Sequence, residues 1–342
     1  MDDTPSASAL IPVHDGRRRL LAGTVGGLAA MLGAAPVALA RATPVVGVTK
    51  IVSHAALDAD ERGFFEAMAA SGFRDGVQVR YERRNAEGDP QRAAAIAAEF
   101  VRQGVSLIYT IATPTSQAVV RATRDIPIVF SSVTDPVQAG LVPAGSRPGR
   151  ATGTNVTGVS DQWPVALQME TYARLVPKAR RWGTIYNPAE PNSVVHIGQM
   201  RDAARQLGLS LREVHVGHRD EVEQAAQSLM GQVQALNITS DNTTVSNLGA
   251  LVKVCETHRV PLFAGDVDSV DRGALAAFGM DYFLVGYSAG RKASLVLKGV
   301  APGTIPWGPV EKFSLVINLR AARAMGVEVP ADMQAKADRL IA

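Results

Sequence analysis

From residue 45 onward, short apolar runs of strand character alternate with longer stretches of helical periodicity. Residues 45–52 form a β-branched apolar run. Over 58–71, Phe64, Phe65 and Met68 share one helical face. Residues 77–83 alternate as a strand does. Asp89-Pro90 opens a helix that runs to about Gln103 and stops at Gly104. A strand over 106–112, a helix over 114–123 and a strand over 126–131 follow. The stretch 141–157 breaks the rhythm. It carries Pro143, Gly145, Pro148, Gly149 and Gly153 and reads as a loop leading to a crossover. A second series then begins, with helices over 163–176, 192–207, 220–230 and 243–258. Its strands fall at 181–186, 209–216, 233–239 and 260–265. Residues 274–279 read as one more strand and 282–298 as one more helix. Beyond Phe313 the pattern predicts a short strand over 314–317, a helix ending at Gly326 and a last helical stretch.

Repeated strand–helix units imply parallel sheets covered on both faces. Two such series, each roughly the size of a small domain, predict an α/β protein of two like lobes. Each lobe is a doubly wound parallel sheet, and chain crossovers between them form a hinge. The strand at 274–279 is one too many for the second series, so the chain is expected to recross there. The first lobe is expected at 44–158 and about 281–310, the second at 159–280 and about 311–342. The 342 residues are 46% hydrophobic, enough for a large core in each lobe.

The first forty residues do not belong to this pattern. Arg17, Arg18 and Arg19 precede a mildly apolar run over 20–40 with four glycines, and the run ends Ala38-Leu39-Ala40. A basic start, a modest apolar core and small residues at the end describe a signal peptide, here of twin-arginine type. Residues 1–40 are thus expected to be removed, leaving a periplasmic chain that starts near Arg41 or Thr43. An uncleaved anchor is the alternative. No cysteine follows the run closely enough for a lipoprotein anchor.

Charge and chemistry narrow the reading further. The net charge is +3, with basic residues scattered and no Lys/Arg stripe interleaved with aromatics, which argues against a nucleic-acid partner. The lone Cys255 allows no internal disulfide and no thiolate metal cluster, and its helical context reads as a buried inert thiol. His196, His215, His218 and His258 are not spaced as metal ligands. The chain has no P-loop and no H-E-x-x-H. Catalysis, metal and cofactor are therefore not expected. Trp163 and Trp182 read as packing residues.

What remains is a set of polar strand ends. The run 107–112 meets Thr113-Pro114-Thr115-Ser116, where Thr113 reads as an N-cap and Pro114 as the first helical residue. The first amides of such a helix point out of its mouth and bind anions. Thr113, Thr115 and Ser116 are thus candidates to anchor a carboxylate. Ser131, Ser132 and Asp135 end the next strand, and Asn187, Asn192 and Ser193 end the first strand of the second lobe. Asp241 and Asn242 follow a later strand, with Asp241 expected to pair an ammonium group and Asp266 as its competitor. His54 stands at the end of the first strand. In open parallel sheets ligands sit at these ends, so the pattern describes a protein that holds a small polar molecule in an interlobe cleft.

Longer motifs occur in a definite order. They run HAALDADERGF from His54, NAEGDPQR from Asn85, YTIATPTSQA from Tyr109 and IPIVFSSVTDPVQAGLV from Ile126. NVTGVSD from Asn155, IYNPAEPNS from Ile185, SDNTTVS from Ser240 and PLFAGD from Pro261 continue the series. GALAAFGMDYFLVG from Gly273 and FSLVINLRAARAMGVEVP from Phe313 close it. This order resembles the ABC-transporter solute-binding proteins, in the group that includes tryptophan- and tyrosine-binding members, over about 44–342. The resemblance implies a type I periplasmic binding fold without catalysis. It further implies a monomer that captures an amino acid or related carboxylate and delivers it to an ABC permease in the inner membrane. A sensor presenting the solute to a membrane receptor is the second reading, and a doubly wound enzyme the third. One departure is plain. The family often has an acidic residue and a proline in the first loop, where this chain reads Ser53-His54-Ala55-Ala56-Leu57-Asp58.

Overall fold

The computed structural model describes residues 43–342. The expected leader lies outside the described residues. In the first half, β1 (Val45–Lys50), α1 (Ala55–Ala70), β2 (Arg80–Asn85), α2 (Pro90–Gln103), β3 (Leu107–Ile111), α3 (Thr113–Ala122) and β4 (Ile128–Val133) alternate as the sequence predicts. Local chemistry sets the boundaries. In α2 the Asp89 side chain accepts from the Gln91 amide, Pro90 opens the helix, and Gly104 ends it in a left-handed conformation (φ 62°). Ala93, Ile96, Ala97 and Phe100 form its buried stripe. Strands β3 and β4 are buried along their whole length, as strands covered on both faces must be.

A strand that the sequence hides follows. Within and beyond the stretch read as a loop, β5 (Val156–Ser160) is fully buried and pairs with β4. The chain then builds α4 (Val165–Leu175), β6 (Arg181–Tyr186), α5 (Pro191–Gln206), β7 (Ser210–His215), α6 (Val222–Leu229) and β8 (Ala235–Asn237). The single helix expected over 243–258 is two, α7 (Asn242–Val245) and α8 (Leu248–His258), because Asp241 caps the first and Asn247 stands at the start of the second. Next come β9 (Leu262–Asp266), the short α9 (Asp268–Asp271) and β10 (Ala276–Met280). Helix α10 (Tyr282–Leu297) leads to β11 (Gly308–Pro309), β12 (Ser314–Asn318), α11 (Leu319–Ala324) and α12 (Ala331–Lys336). The last helical stretch ends as a strand, β13 (Arg339–Ile341), paired with β12.

Two sheets result, ordered β11-β5-β4-β3-β1-β2 and β13-β12-β10-β9-β8-β6-β7. All pairings are parallel except β10 with β12. Counted from its own first strand, each sheet places its first five strands in the same spatial order, the doubly wound order with one switch point. Each sheet with its helices forms a lobe. The chain passes between them at 161–164, at Asp281 and at 310–313. Strand β10 stays in the second sheet, and α10 returns to pack on α1, β4 and β5. That packing is close. A Cβ on Gly286 would stand 1.8 Å from the Asp60 carbonyl oxygen, and one on Gly290 would stand 2.6 Å from that of Phe64. One continuous apolar core runs through both lobes.

Candidate functional site

The carboxyl ends of both sheets face one another across a small, tight cavity. From the first lobe it is lined by His54, Ala56 and Leu57 at the start of α1, by Ala112 after β3, and by Ser132 and Thr134 around the end of β4. Asp161, at the first crossover, and Tyr282, at the start of α10, form one side. The second lobe contributes Asn192, Ser240, Asn242, Val245 and Asp266. Neither Lys nor Arg is among the lining residues.

Two lining residues hold a left-handed backbone without being glycine, Ala112 (φ 80°) and Ser132 (φ 54°). Each sits where a strand turns into the site, and such strain persists only where the surroundings impose it. At Ser132 the cause is visible. Its hydroxyl donates to the buried Asp60 carboxyl, which also takes Ser131 Oγ at 3.0 Å and the Tyr109 hydroxyl. Burial without a cation pushes Asp60 up to about 7.

Asp161 is bound by two hydroxyls, Tyr282 at 2.6 Å and Thr134 at 3.1 Å. Burial raises it to about 6. Asp266 takes the Ser269 amide and hydroxyl, each at 2.8 Å, and burial raises it too. Behind it Asp268 is raised to about 8, first by burial and then by the charge of Asp266. His54 accepts weakly from the Leu57 amide through Nδ1, and its Nε2 meets Asn242 Oδ1 of the opposite lobe at 3.3 Å. Burial lowers it to about 4. Below the second-lobe wall, His196 bonds Ser240 Oγ at 3.0 Å and stacks on Trp163, whose ring occupies the space a Cβ on Gly265 would need.

The residues singled out from sequence divide into three groups. His54, Ser132, Asn192, Asn242 and Asp266 line the cavity. Thr113 and Asp135 share with Asn192 a small adjoining pocket, while Asn187 and Asn242 line an open outer groove of the interlobe cleft. Thr115, Ser116, Ser131, Ser193 and Asp241 lie behind these walls. Thr113 is the first helical residue of α3 rather than its cap, a place held by Ala112. The hydroxyls of Thr115 and Ser116 turn back on carbonyls of their own turn, at 2.6 Å to Ile111 and 2.8 Å to Ala112, instead of facing a ligand. Asp241 does not reach the cavity either. Its oxygens are taken by the Thr244 amide, the Asn187 amide and Ser193 Oγ, so it caps α7. Asp135 makes an Asx turn with the amides of Val137 and Gln138.

Sequence reasoning passed over Asp161, Thr134, Ser240, Tyr282 and Ala112, and the buried Asp60 and Glu190 behind them. Asp161 follows 156–160, Val-Thr-Gly-Val-Ser, a run too short and too polar to mark the buried strand it forms.

A two-lobed α/β molecule with a polar cavity at facing strand ends is a type I periplasmic binding fold. The family model for ABC transporter substrate binding protein matches residues 45–341, and this chain belongs to that family of solute-binding proteins. A tyrosine-binding protein of Clostridioides difficile (strain R20291) is 36% identical over 283 residues, 83% of this chain and 81% of that protein. A Streptococcus pneumonia domain solved in complex with L-Trp is 29% identical, with a TM-score of 0.82 over 87% of this chain and all of that one. The ligand-free, open structure of a substrate binding protein with adhesive properties from Clostridium difficile is 32% identical. It superposes less well, with a TM-score of 0.64 over 87% of this chain and 99% of that one. At nearly equal identity, this chain has the arrangement nearer to the ligand complex, in keeping with its enclosed cavity.

Proposed function

We propose that this protein is the exported solute-capturing component of an ABC importer and that it holds an amino acid between its lobes. The carrying observation is the cavity itself, which places two cation-free carboxylates, Asp161 and Asp266, in its wall. A desolvated carboxylate needs a positive partner, and an ammonium group supplies it with three donors. With no Lys or Arg in the wall, the solute's own carboxylate is met by amides in the first turns of α1 and α3, beside Ala56 and Ala112. The tyrosine-binding relative and the L-Trp complex support an aromatic amino acid as the solute. The leader with Arg17, Arg18 and Arg19 supports export, and the partner is a permease of the inner membrane that meets the protein as a monomer. Among the described residues no helix is long and apolar enough to cross a membrane.

The test is calorimetry and thermal shift on the purified exported protein after unfolding and refolding to strip any bound solute. L-tyrosine and L-tryptophan are expected to bind at micromolar Kd or tighter, roughly −8 kcal/mol, and to raise the melting temperature by mass action. Shifts with sugars alone would sink the reading.

A further inference from the structure

Glu190 is a buried carboxylate that takes part in none of the ion pairs among the described residues. It stands just before Pro191 at the start of α5, and it is saturated with donors. Oε1 takes the Thr243 amide at 2.9 Å and the Thr243 hydroxyl at 2.7 Å. Oε2 takes the Asn242 amide nitrogen at 2.9 Å, Asn242 Nδ2 at 2.6 Å and Asn192 Nδ2 at 3.3 Å. We infer that Glu190 is a positioning residue: by holding the NH2 groups of Asn192 and Asn242, it turns both carbonyl oxygens outward and makes the cavity wall select solutes that donate hydrogen bonds.

A carboxylate only accepts, and an asparagine amide has one accepting and one donating end. Each amide must therefore turn its nitrogen to Glu190. A second contact fixes Asn192 independently, since its Nδ2 also donates to the Ser240 carbonyl oxygen at 3.0 Å, where a flipped amide would set oxygen against oxygen. Asn192 lines the cavity, and its Oδ1 is then left buried with no partner in the protein. Buried acceptors of this kind are normally satisfied, so this one is reserved for something that enters the cavity. Asn242 Oδ1 points the other way and meets His54 Nε2 across the lobes. Because His54 Nδ1 accepts from Leu57, the ring proton of the neutral imidazole lies on Nε2 and can donate to that oxygen. One buried carboxylate thus orients an acceptor for the solute and an acceptor for the opposite lobe.

This inference rests on the amino-acid reading, and the experiment separates the two. Affinities for L-tyrosine and for 3-(4-hydroxyphenyl)propionate, the same molecule without its amino group, are measured by calorimetry in four proteins. These are the wild type, Glu190→Gln, Asn192→Leu and the double variant, each with its ligand-free melting temperature. The wild type is expected to prefer tyrosine. Glutamine replaces one accepting atom by a donor, which releases the amides to flip, so the preference for tyrosine should fall about tenfold, the range of one charge-assisted hydrogen bond. Asn192→Leu should lower it similarly. The double variant should lose little more than Asn192→Leu alone, because Glu190 acts through Asn192. A Glu190→Gln protein that weakens both ligands equally, or weakens neither, overturns the inference while leaving the amino-acid reading intact. Fully additive losses in the double variant overturn it as well. A wild type that binds neither ligand overturns the reading and the inference together.

Discussion

At the residue scale, the cavity is defined by which groups lack a counter-charge. Asp161 sits near 6 against a usual 3.8, and Asp60 near 7, both because burial disfavours the charged form. Between about pH 4 and 7 the folded protein therefore keeps protons that the unfolded chain has released. Stability contributed by these groups falls as pH rises through that window. His54, lowered to about 4 by burial, acts in the opposite sense. Between about pH 4 and 6.5 the unfolded chain takes a proton that the folded one refuses, so its contribution rises with pH. An ammonium group beside Asp161 would favour the carboxylate and expel its proton. Solute affinity is then expected to be about tenfold weaker at pH 5 than at pH 8. Calorimetry in buffers of different ionisation enthalpy should register the released proton. Asp161→Asn should weaken binding about ten- to a hundredfold and flatten the pH dependence, and a slope that survives the substitution would assign the proton elsewhere. The sequence showed His54, Ser132, Asn192, Asn242 and Asp266 because each stands at a strand end with a polar side chain. It did not show that Thr115 spends its hydroxyl inside its own turn, or that Asp241 spends its carboxylate on the Thr244 and Asn187 amides and Ser193, since a capping side chain and a ligand-facing one have the same spelling. Glu190 was invisible for the same reason, as an acid before proline reads only as a helix start.

At the element scale, the strands and helices that follow strict periodicity were legible, and α2 matched its expected start and stop. Strand β5 was not, because its five residues are flanked by glycine, proline and threonine and nothing local marks it as strand. Its place depends on β4 beside it. The break between α7 and α8 likewise depends on tertiary partners, the Asn187 and Ser193 groups that hold Asp241 in its capping position. The contact of α1 with α10 gives a sharp prediction. Gly286 lies against the backbone of Asp60, and backbone cannot rotate away as a side chain can. Gly286→Ala should cost about 1–3 kcal/mol or more by forcing the helices apart, seen as a melting temperature lower by several degrees. Because the displaced segment carries Asp60, solute affinity should fall as well. A variant with unchanged melting temperature would show that the two helices pack more loosely than described.

At the scale of the whole molecule, two sheets of the same strand order face each other with their carboxyl ends. The count of strand–helix units made this arrangement legible, and the surplus strand at 274–279 gave the reason to expect the chain back in the first lobe, while the close packing of α10 on α1 is recorded by no local pattern. The enclosed cavity and the His54–Asn242 contact describe a closed form, so the solute-free protein is expected to open. Small-angle X-ray scattering should give a larger radius of gyration for the stripped protein than for its complex with the bound amino acid, and equal radii would argue for a rigid molecule. The three passages of chain between the lobes constrain that motion. One linker would act as a universal joint, free to swivel. Three, at 161–164, Asp281 and 310–313, act as the pins of a door. The lobes can swing but cannot screw, and each swing brings the same two faces together in the same register. Lengthening any single passage should leave this guidance in place, because the other two still forbid the turn. The accuracy with which the solute is enclosed is therefore written in the number of times the chain crosses the gap.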